Sequence, residues 1–235
     1  MTGSNHLKRV AAPRTWPITR KTSKWVVKPT PGAHSEERGM PLVVVLRDLL
    51  HLADKSKEIK QILQEGKVLV DGRIRKDHRF IVGMFDTVSI PAINANYRVM
   101  IGDNGRFKLV PIKDASLKLC KIVNKTMVRE GKIQLNLHDG TTLLASNDYK
   151  TKDSILIKVP ERKIDQHLNY GIGSLVFVAD GKHAGTIGKV KQIIPVKSSS
   201  PNRVLITGPA GDFETIEQYV FVIGKDSPAI EGVGA

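Results

Sequence analysis

Apolar residues at Leu42, Leu46, Leu49, Leu50 and Ala53 recur at the spacing of one buried helical face. Pro41 suits the first turn of that helix. A second helix is predicted over residues 55–65, with Ile59, Ile62 and Leu63 inward, Lys57, Lys60 and Gln61 outward, and Gly66 placed to end it. The period then changes. Val68-Leu69-Val70 reads as a buried strand, and Asp71-Gly72 is the dipeptide that most readily closes a two-residue hairpin with both central residues at positive φ. Further on, Ile133-Gln134-Leu135-Asn136-Leu137 alternates cleanly between turn signals at Glu130-Gly131 and Asp139-Gly140. From Gly171, apolar Val176, Val178, Ile187, Val190 and Ile193 are punctuated by Gly181, Gly185 and Gly188, and strands follow at residues 204–207 and 219–223. The first forty residues show no such period. Pro13, Pro17, Pro29 and Pro31 block regular helix or central strand there, which predicts an extended, irregular arm unable to bury enough apolar surface to fold alone.

Charge sharpens this division. The 235 residues carry 37 Lys and Arg against 23 Asp and Glu, a net +14, and a soluble chain this basic calls for a polyanionic partner. The net is +6 over residues 1–40, +2 over 41–91, +6 over 92–170 and zero over 171–235. In the arm, Lys8, Arg9, Arg14, Arg20, Lys21, Lys24 and Lys28 precede any acidic residue. Against a phosphate lattice each of them would release condensed counterions and offset the ordering entropy. Trp16 and Trp25 lie among these bases, where two roles are open: stacking on unpaired bases, or anchoring the arm to its own domain. In the hairpin, strand alternation predicts Arg73 and Arg75 side by side on the face opposite Ile74, extended by Lys76 and Arg79. Such an edge is also what a strand guarded against aggregation would carry, and Asp71 and Asp77 partly compensate its charge. Over residues 118–132, Lys118, Lys121, Lys125, Arg129 and Lys132 recur at threes and fours, as a basic helical face on RNA or a solvated surface would.

Motifs for chemistry are missing. A phosphate loop ending at Gly188-Lys189 would need glycine at His183 and Ser or Thr at Val190, and Gly171-x-Gly173 has no third glycine for a dinucleotide fingerprint. The seven histidines are scattered without a zinc-binding helix, and Cys120 alone makes neither an intramolecular disulfide nor a zinc cluster. No catalytic, metal or cofactor residue is indicated. No run of about 20 apolar residues and no signal segment is seen, so a cytoplasmic protein without membrane contact is expected.

The helix pair followed by "GKVLVDGRIRKDHRF" resembles the small RNA-binding domain called S-four. The resemblance places RNA contacts on Lys60, Lys67, Arg73, Arg75, Lys76 and Arg79, with Gly72 as the turn residue. "GIGSLVFVADGKHAGTIGKVKQI" is similar to a KOW motif, an SH3-like barrel with Gly185 as its central glycine, which leaves Lys182 and Lys189 to meet RNA or a protein. Taken with "HLKRVAAPRTWPI", "MPLVVVLRDLLHLA" and "FVIG", the chain resembles, nearly end to end, the small-subunit ribosomal S-four family of the "e" type. This implies an α+β, multidomain protein: a basic arm over residues 1–40, an S-four domain over 41–91, a β-rich middle over 92–170, a KOW barrel over 171–224 and a tail over 225–235. It further implies a monomer within the ribosome that binds small-subunit rRNA and neighbouring ribosomal proteins and takes no small-molecule substrate. Within it the arm would supply salt-dependent affinity and the hairpin would set register. An RNA-modifying enzyme, an elongation factor and a free RNA chaperone remain as alternatives.

Overall fold

The computed structural model describes residues 6–128 and 131–233. Its contacts divide into two compact units, one reaching to Met100 and including Arg106–Ala115, the other made of Ile101–Gly105 and the chain from Ser116 onward. Both are mainly β with few helical residues, as the α+β, multidomain reading expects. Among the described residues no helix is long and apolar enough to cross a membrane.

In the first unit, β1 (Leu7–Lys8) pairs antiparallel with β2 (Trp25–Val26), so the arm folds back on itself. β3 (Gly39–Pro41) runs into α1 (Leu42–Val44), which widens at once into a π-helical turn, Val45–Leu49. The single longer helix expected from the spacing of Leu42 to Ala53 is therefore cut short. Residues 42–46 are all fully buried, so this segment is enclosed rather than amphipathic, and three successive β-branched valines propagate an α-helix poorly. The chain turns away at His51, φ 50°. By contrast α2 (Ser56–Gln64) follows its pattern: Ile59 and Leu63 are buried, the Glu58 carboxylate accepts the Lys55 backbone N–H at 3.2 Å, and the helix ends before Gly66 at φ 73°.

β4 (Leu69–Val70) and β5 (Arg73–Ile74) then form the expected hairpin, Val70 opposite Arg73, with Asp71 and Gly72 both left-handed at φ 50° and 69°. β6 (Ile81–Gly83) pairs with β3. With β7 (Thr87–Ile90), β8 (Ala95–Ile101) and β9 (Phe107–Ile112) the hairpin completes a five-stranded sheet in the order β5-β4-β7-β8-β9.

The second unit holds two antiparallel five-stranded sheets. The first comprises β10 (Leu117–Met127), β11 (Ile133–Leu137), β12 (Thr142–Ala145), β13 (Ser154–Lys158) and β14 (Lys163–Leu168), ordered β12-β11-β10-β13-β14. Alternate residues Leu135, Leu137, Ile155 and Ile157 close its core with Cys120 and Ile122. The second comprises β15 (Leu175–Val178), β16 (Ile187–Ile194), β17 (Arg203–Gly208), β18 (Gly211–Ile216) and β19 (Val220–Gly224), ordered β18-β17-β16-β15-β19.

Residues 118–127 thus lie on a long strand rather than a helical face, and the solvated surface describes only its far end: Lys125 is half-buried and Lys132, beyond the strand, is exposed. Lys118 is 2% exposed and Lys121 6%. Arg129 and Glu130 lie outside the described residues.

Candidate nucleic-acid interface

The arm is built by its own arginines. Prolines remove backbone donors, so the carbonyls of an irregular segment need partners from side chains. Arg20 supplies them, donating to the Val10, Ala12 and Pro13 carbonyls at 3.0, 2.7 and 2.9 Å. Arg9 is buried and donates through Nε to Thr19 O. The arm is therefore packed rather than free and extended. Arg9 and Arg20, expected on RNA, hold its shape, while Lys8, Arg14, Lys21 and Lys24 stay exposed. The structure decides between the open roles for one of the two tryptophans. Trp16 is 1% exposed and donates its indole N–H to Gly39 O at 2.8 Å, which makes it an anchor. Trp25 is 49% exposed, with the Lys24 ammonium 5.4 Å from its ring.

The hairpin differs from its expected form in one respect. β5 ends at Ile74, so alternation does not carry through to Arg75, whose guanidinium lies over the Phe80 ring at 4.3 Å while Arg73 is exposed. The aspartates organise loops rather than only balancing charge. Asp71 Oδ1 accepts the Thr87 backbone N–H at 3.0 Å, and Asp77 accepts the Arg79 N–H at 2.8 Å and the Thr30 hydroxyl at 3.1 Å. Arg79 in turn donates Nε to Lys28 O at 2.9 Å, and Thr30 N–H bonds Arg79 O, which fastens the arm to this loop.

Lys60 and Lys76 are exposed, and exposed Lys67 pairs with Glu65 at 2.6 Å. Partial burial first, then the nearby Lys60 and Arg79 charges, hold His78 below its ordinary pKa of 6.5 against the opposing pull of Asp77. Lys60, on α2, therefore sits in the same electrostatic field as the 76–79 loop. Sequence reading missed Arg47. It follows five apolar residues and looks like the solvent side of a helix, but the π-turn holds it against Asp48, through Nε at 3.1 Å and Nη2 at 2.8 Å, and against the Ser56 hydroxyl at 2.8 Å.

In the second unit, Lys182 is exposed and Lys189 pairs with exposed Asp226 at 2.8 Å. His183 stacks on Phe213 at 4.3 Å. Gly185, at φ 89°, lies so close to the backbone of Gly102 and Asp103 that a Cβ there would fall 2.7 Å from Gly102 C and O. The glycine expected to define a loop for a partner is thus required by a backbone contact within the chain.

Two basic side chains of β10 are internal. Lys118 pairs with Asp139 at 2.8 Å with both side chains buried. Burial pushes the Asp139 carboxyl up, but the Lys118 ammonium, His138 and the Thr141 hydroxyl outweigh it and hold the group well below the carboxylate range. The Lys121 ammonium donates to Gln218 O at 2.9 Å and Val220 O at 2.7 Å, with Glu217 O at 3.4 Å. Cys120, His138 and Asp139 bring potential metal-ligating atoms within 4.8 Å of one another. They fit a cation poorly: Asp139 is bonded to Lys118 and Thr141, and His138 Nδ1 accepts the Lys121 backbone N–H at 3.2 Å.

Comparison with known proteins agrees with this architecture. Family models match in sequence along the chain: the RS4NT domain over residues 1–37, the S4 domain over 40–88, ribosomal family S4e over 93–164 and the KOW motif over 172–207. The small ribosomal subunit protein eS4 of Methanocella arvoryzae is 77% identical across 98% of this chain and 99% of its own length. The chain belongs to ribosomal family S4e. Another member, the small ribosomal subunit protein eS4 of Archaeoglobus fulgidus, is 52% identical across 96% of this chain and 97% of its own. Among solved structures, the 30S ribosomal protein S4e of Thermoplasma acidophilum superposes with a TM-score of 0.69 at 32% identity, covering 80% of this chain and 96% of that one. The S4e family resemblance read from the quoted stretches is borne out.

Proposed function

We propose that the protein is a structural constituent of the small ribosomal subunit in the cytoplasm, where it binds rRNA, contacts neighbouring ribosomal proteins and supports subunit assembly. The observation that carries this reading is 77% identity, over nearly the whole of both chains, to a small ribosomal subunit protein. The charge distribution supports it. Lys8, Arg14, Lys21 and Lys24 on the arm, Lys60, Lys67, Arg73 and Lys76 around the S4 domain, and Lys182 and Lys189 on the KOW segment all face solvent. The surface pairs Lys67–Glu65 and Lys189–Asp226 are no obstacle, since exposed ion pairs contribute about 0–1 kcal/mol and exchange readily for phosphate.

Arg75 and Arg79 belong to the same surface with a second duty, one stacked on Phe80 and the other tied to the arm. Sedimentation of a cell extract on a sucrose gradient tests the reading. The protein should co-migrate with small subunits through moderate salt; recovery only in light fractions would overturn it.

A further inference from the structure

A cleft of about 360 Å³ opens in the first unit between the arm and the helix pair. That volume is at the lower end of the roughly 300–1,000 Å³ of small-molecule sites. Arg9, Lys28, Arg47 and Arg79 contribute to its walls, and among the described residues no carboxylate lines it. Its cations are held in place rather than left to sample rotamers. Arg9 is fixed by Thr19 O, Arg47 by Asp48 and Ser56, and Arg79 through Nε by Lys28 O. Arg79 uses only Nε in that bond, and its terminal amino groups have no acceptor among the described residues. A guanidinium anchored through Nε, with its two-nitrogen edge open, suits bidentate pairing with a phosphate.

The wall opposite in character is aromatic. Trp25, half exposed, lines the cleft with His6, the two rings 5.5 Å apart and tilted by 49°. A large exposed indole beside a cluster of cations suits a ligand that is anionic at one end and flat at the other. A phosphate joined to a nucleobase has that chemistry, and it is offered by an RNA strand or by a free nucleotide. With a net charge of +14 on the chain, the strand is favoured.

We propose that this cleft takes one unpaired nucleotide of the bound RNA, its phosphate on Arg79 beside Lys28 and Arg47, and its base against Trp25. This rests on the reading that the protein binds rRNA, and it adds a defined pocket to a surface otherwise made of exposed charges.

The two tryptophans make the test direct, because Trp16 is buried and only Trp25 is placed to report. The full chain is titrated with a short single-stranded oligoribonucleotide while tryptophan emission is followed, and affinity is measured in parallel by anisotropy of the labelled strand. The strand should quench emission in the native protein. In Trp25→Ala the quenching should vanish and affinity should fall roughly 5- to 150-fold, the span of about 1–3 kcal/mol for one stacked base. Ser56→Asp puts a carboxylate in the cleft at the first turn of α2, where an acidic residue suits the helix dipole. It should weaken binding about tenfold or more with the melting temperature unchanged. Flat emission of the native protein on adding the strand, together with native affinity in both variants, would overturn the cleft while rRNA binding stands. Equal affinity for a nucleoside 5′-monophosphate would overturn the strand in favour of a free nucleotide. A native protein that binds neither the oligoribonucleotide nor rRNA, and sediments only in light fractions, would overturn the ribosomal reading itself.

Discussion

The arm and strand β10 are both basic stretches in sequence, and the structure uses their charges in opposite proportions. Of the arm's Lys and Arg side chains only Arg9 is buried, while Lys8, Arg14, Lys21 and Lys24 face water. On β10, Lys118 and Lys121 are buried and matched to acceptors: a carboxylate for one, backbone carbonyls for the other. The difference teaches that a run of positive charge does not measure what is available to a polyanion. What decides is the supply of acceptors inside the fold, because a buried cation costs several kcal/mol unless it is paired and hydrogen-bonded. Counting residues 92–170 as a net +6 therefore overstates their reach toward RNA.

The largest test of this contrast is Lys118→Met, which leaves Asp139 buried without its partner and should cost about 3–5 kcal/mol in chemical denaturation. Adding Asp139→Leu should recover much of that deficit. With Lys118 gone, burial is opposed only by His138 and the Thr141 hydroxyl, so the Asp139 pKa should rise and the penalty should shrink as pH falls. A penalty independent of pH would show that the ion pair is not its source. Next, Lys121→Met deprives the Glu217, Gln218 and Val220 carbonyls of their side-chain donor and should cost about 1–3 kcal/mol, with RNA affinity of the folded protein unchanged. If affinity falls instead, β10 belongs to the interface after all.

Arg20→Gln should loosen the arm, read as faster amide exchange over residues 10–20, while the rest of the first unit keeps its protection. Neutralising Lys8, Lys21 and Lys24 to Gln should leave the melting temperature unchanged. The slope of log affinity against log salt should flatten by up to about one unit for each phosphate no longer engaged. An unchanged slope would remove the arm from the interface.

The smallest effect expected is at His78. Its pKa is lowered in the native protein, so that state binds fewer protons than the unfolded chain. This contribution to stability is complete above the ordinary value of about 6.5 and is lost as pH falls through the lowered one. A phosphate nearby would raise the pKa, so affinity for RNA should increase slightly over the same window. Ring-proton NMR of His78, free and bound, measures both, and titration at or above 6.5 in the free protein would contradict the first.

Where local pattern and tertiary need coincide, the chain is legible. Ile59 and Leu63 on α2, the Asp71-Gly72 turn and the alternation of residues 133–137 each needed only their own neighbours to be read. Legibility fails where a distant partner overrules the local pattern. Residues 42–46 are enclosed on all sides, which no spacing of leucines reports. Arg75 leaves the strand for Phe80, and Arg47 is turned by a π-helical widening that its sequence does not announce. Gly185 looks like a motif glycine, yet Gly102 and Asp103, more than eighty positions away in the chain, are what forbid it a side chain.

By itself the sequence determined the family, the order of its segments, the excess of positive charge and the strands and turns whose period is local. Tertiary structure alone decided which charges the fold keeps for itself. Arg9 and Arg20 went to carbonyls that prolines had left without partners, Lys118 to a buried carboxylate, and Arg79 gave one nitrogen to the arm. The physical reason is that periodicity is carried by adjacent residues, whereas the effect of a charge depends on the solvent and acceptors around it. Those are assembled only when segments far apart in the chain pack together.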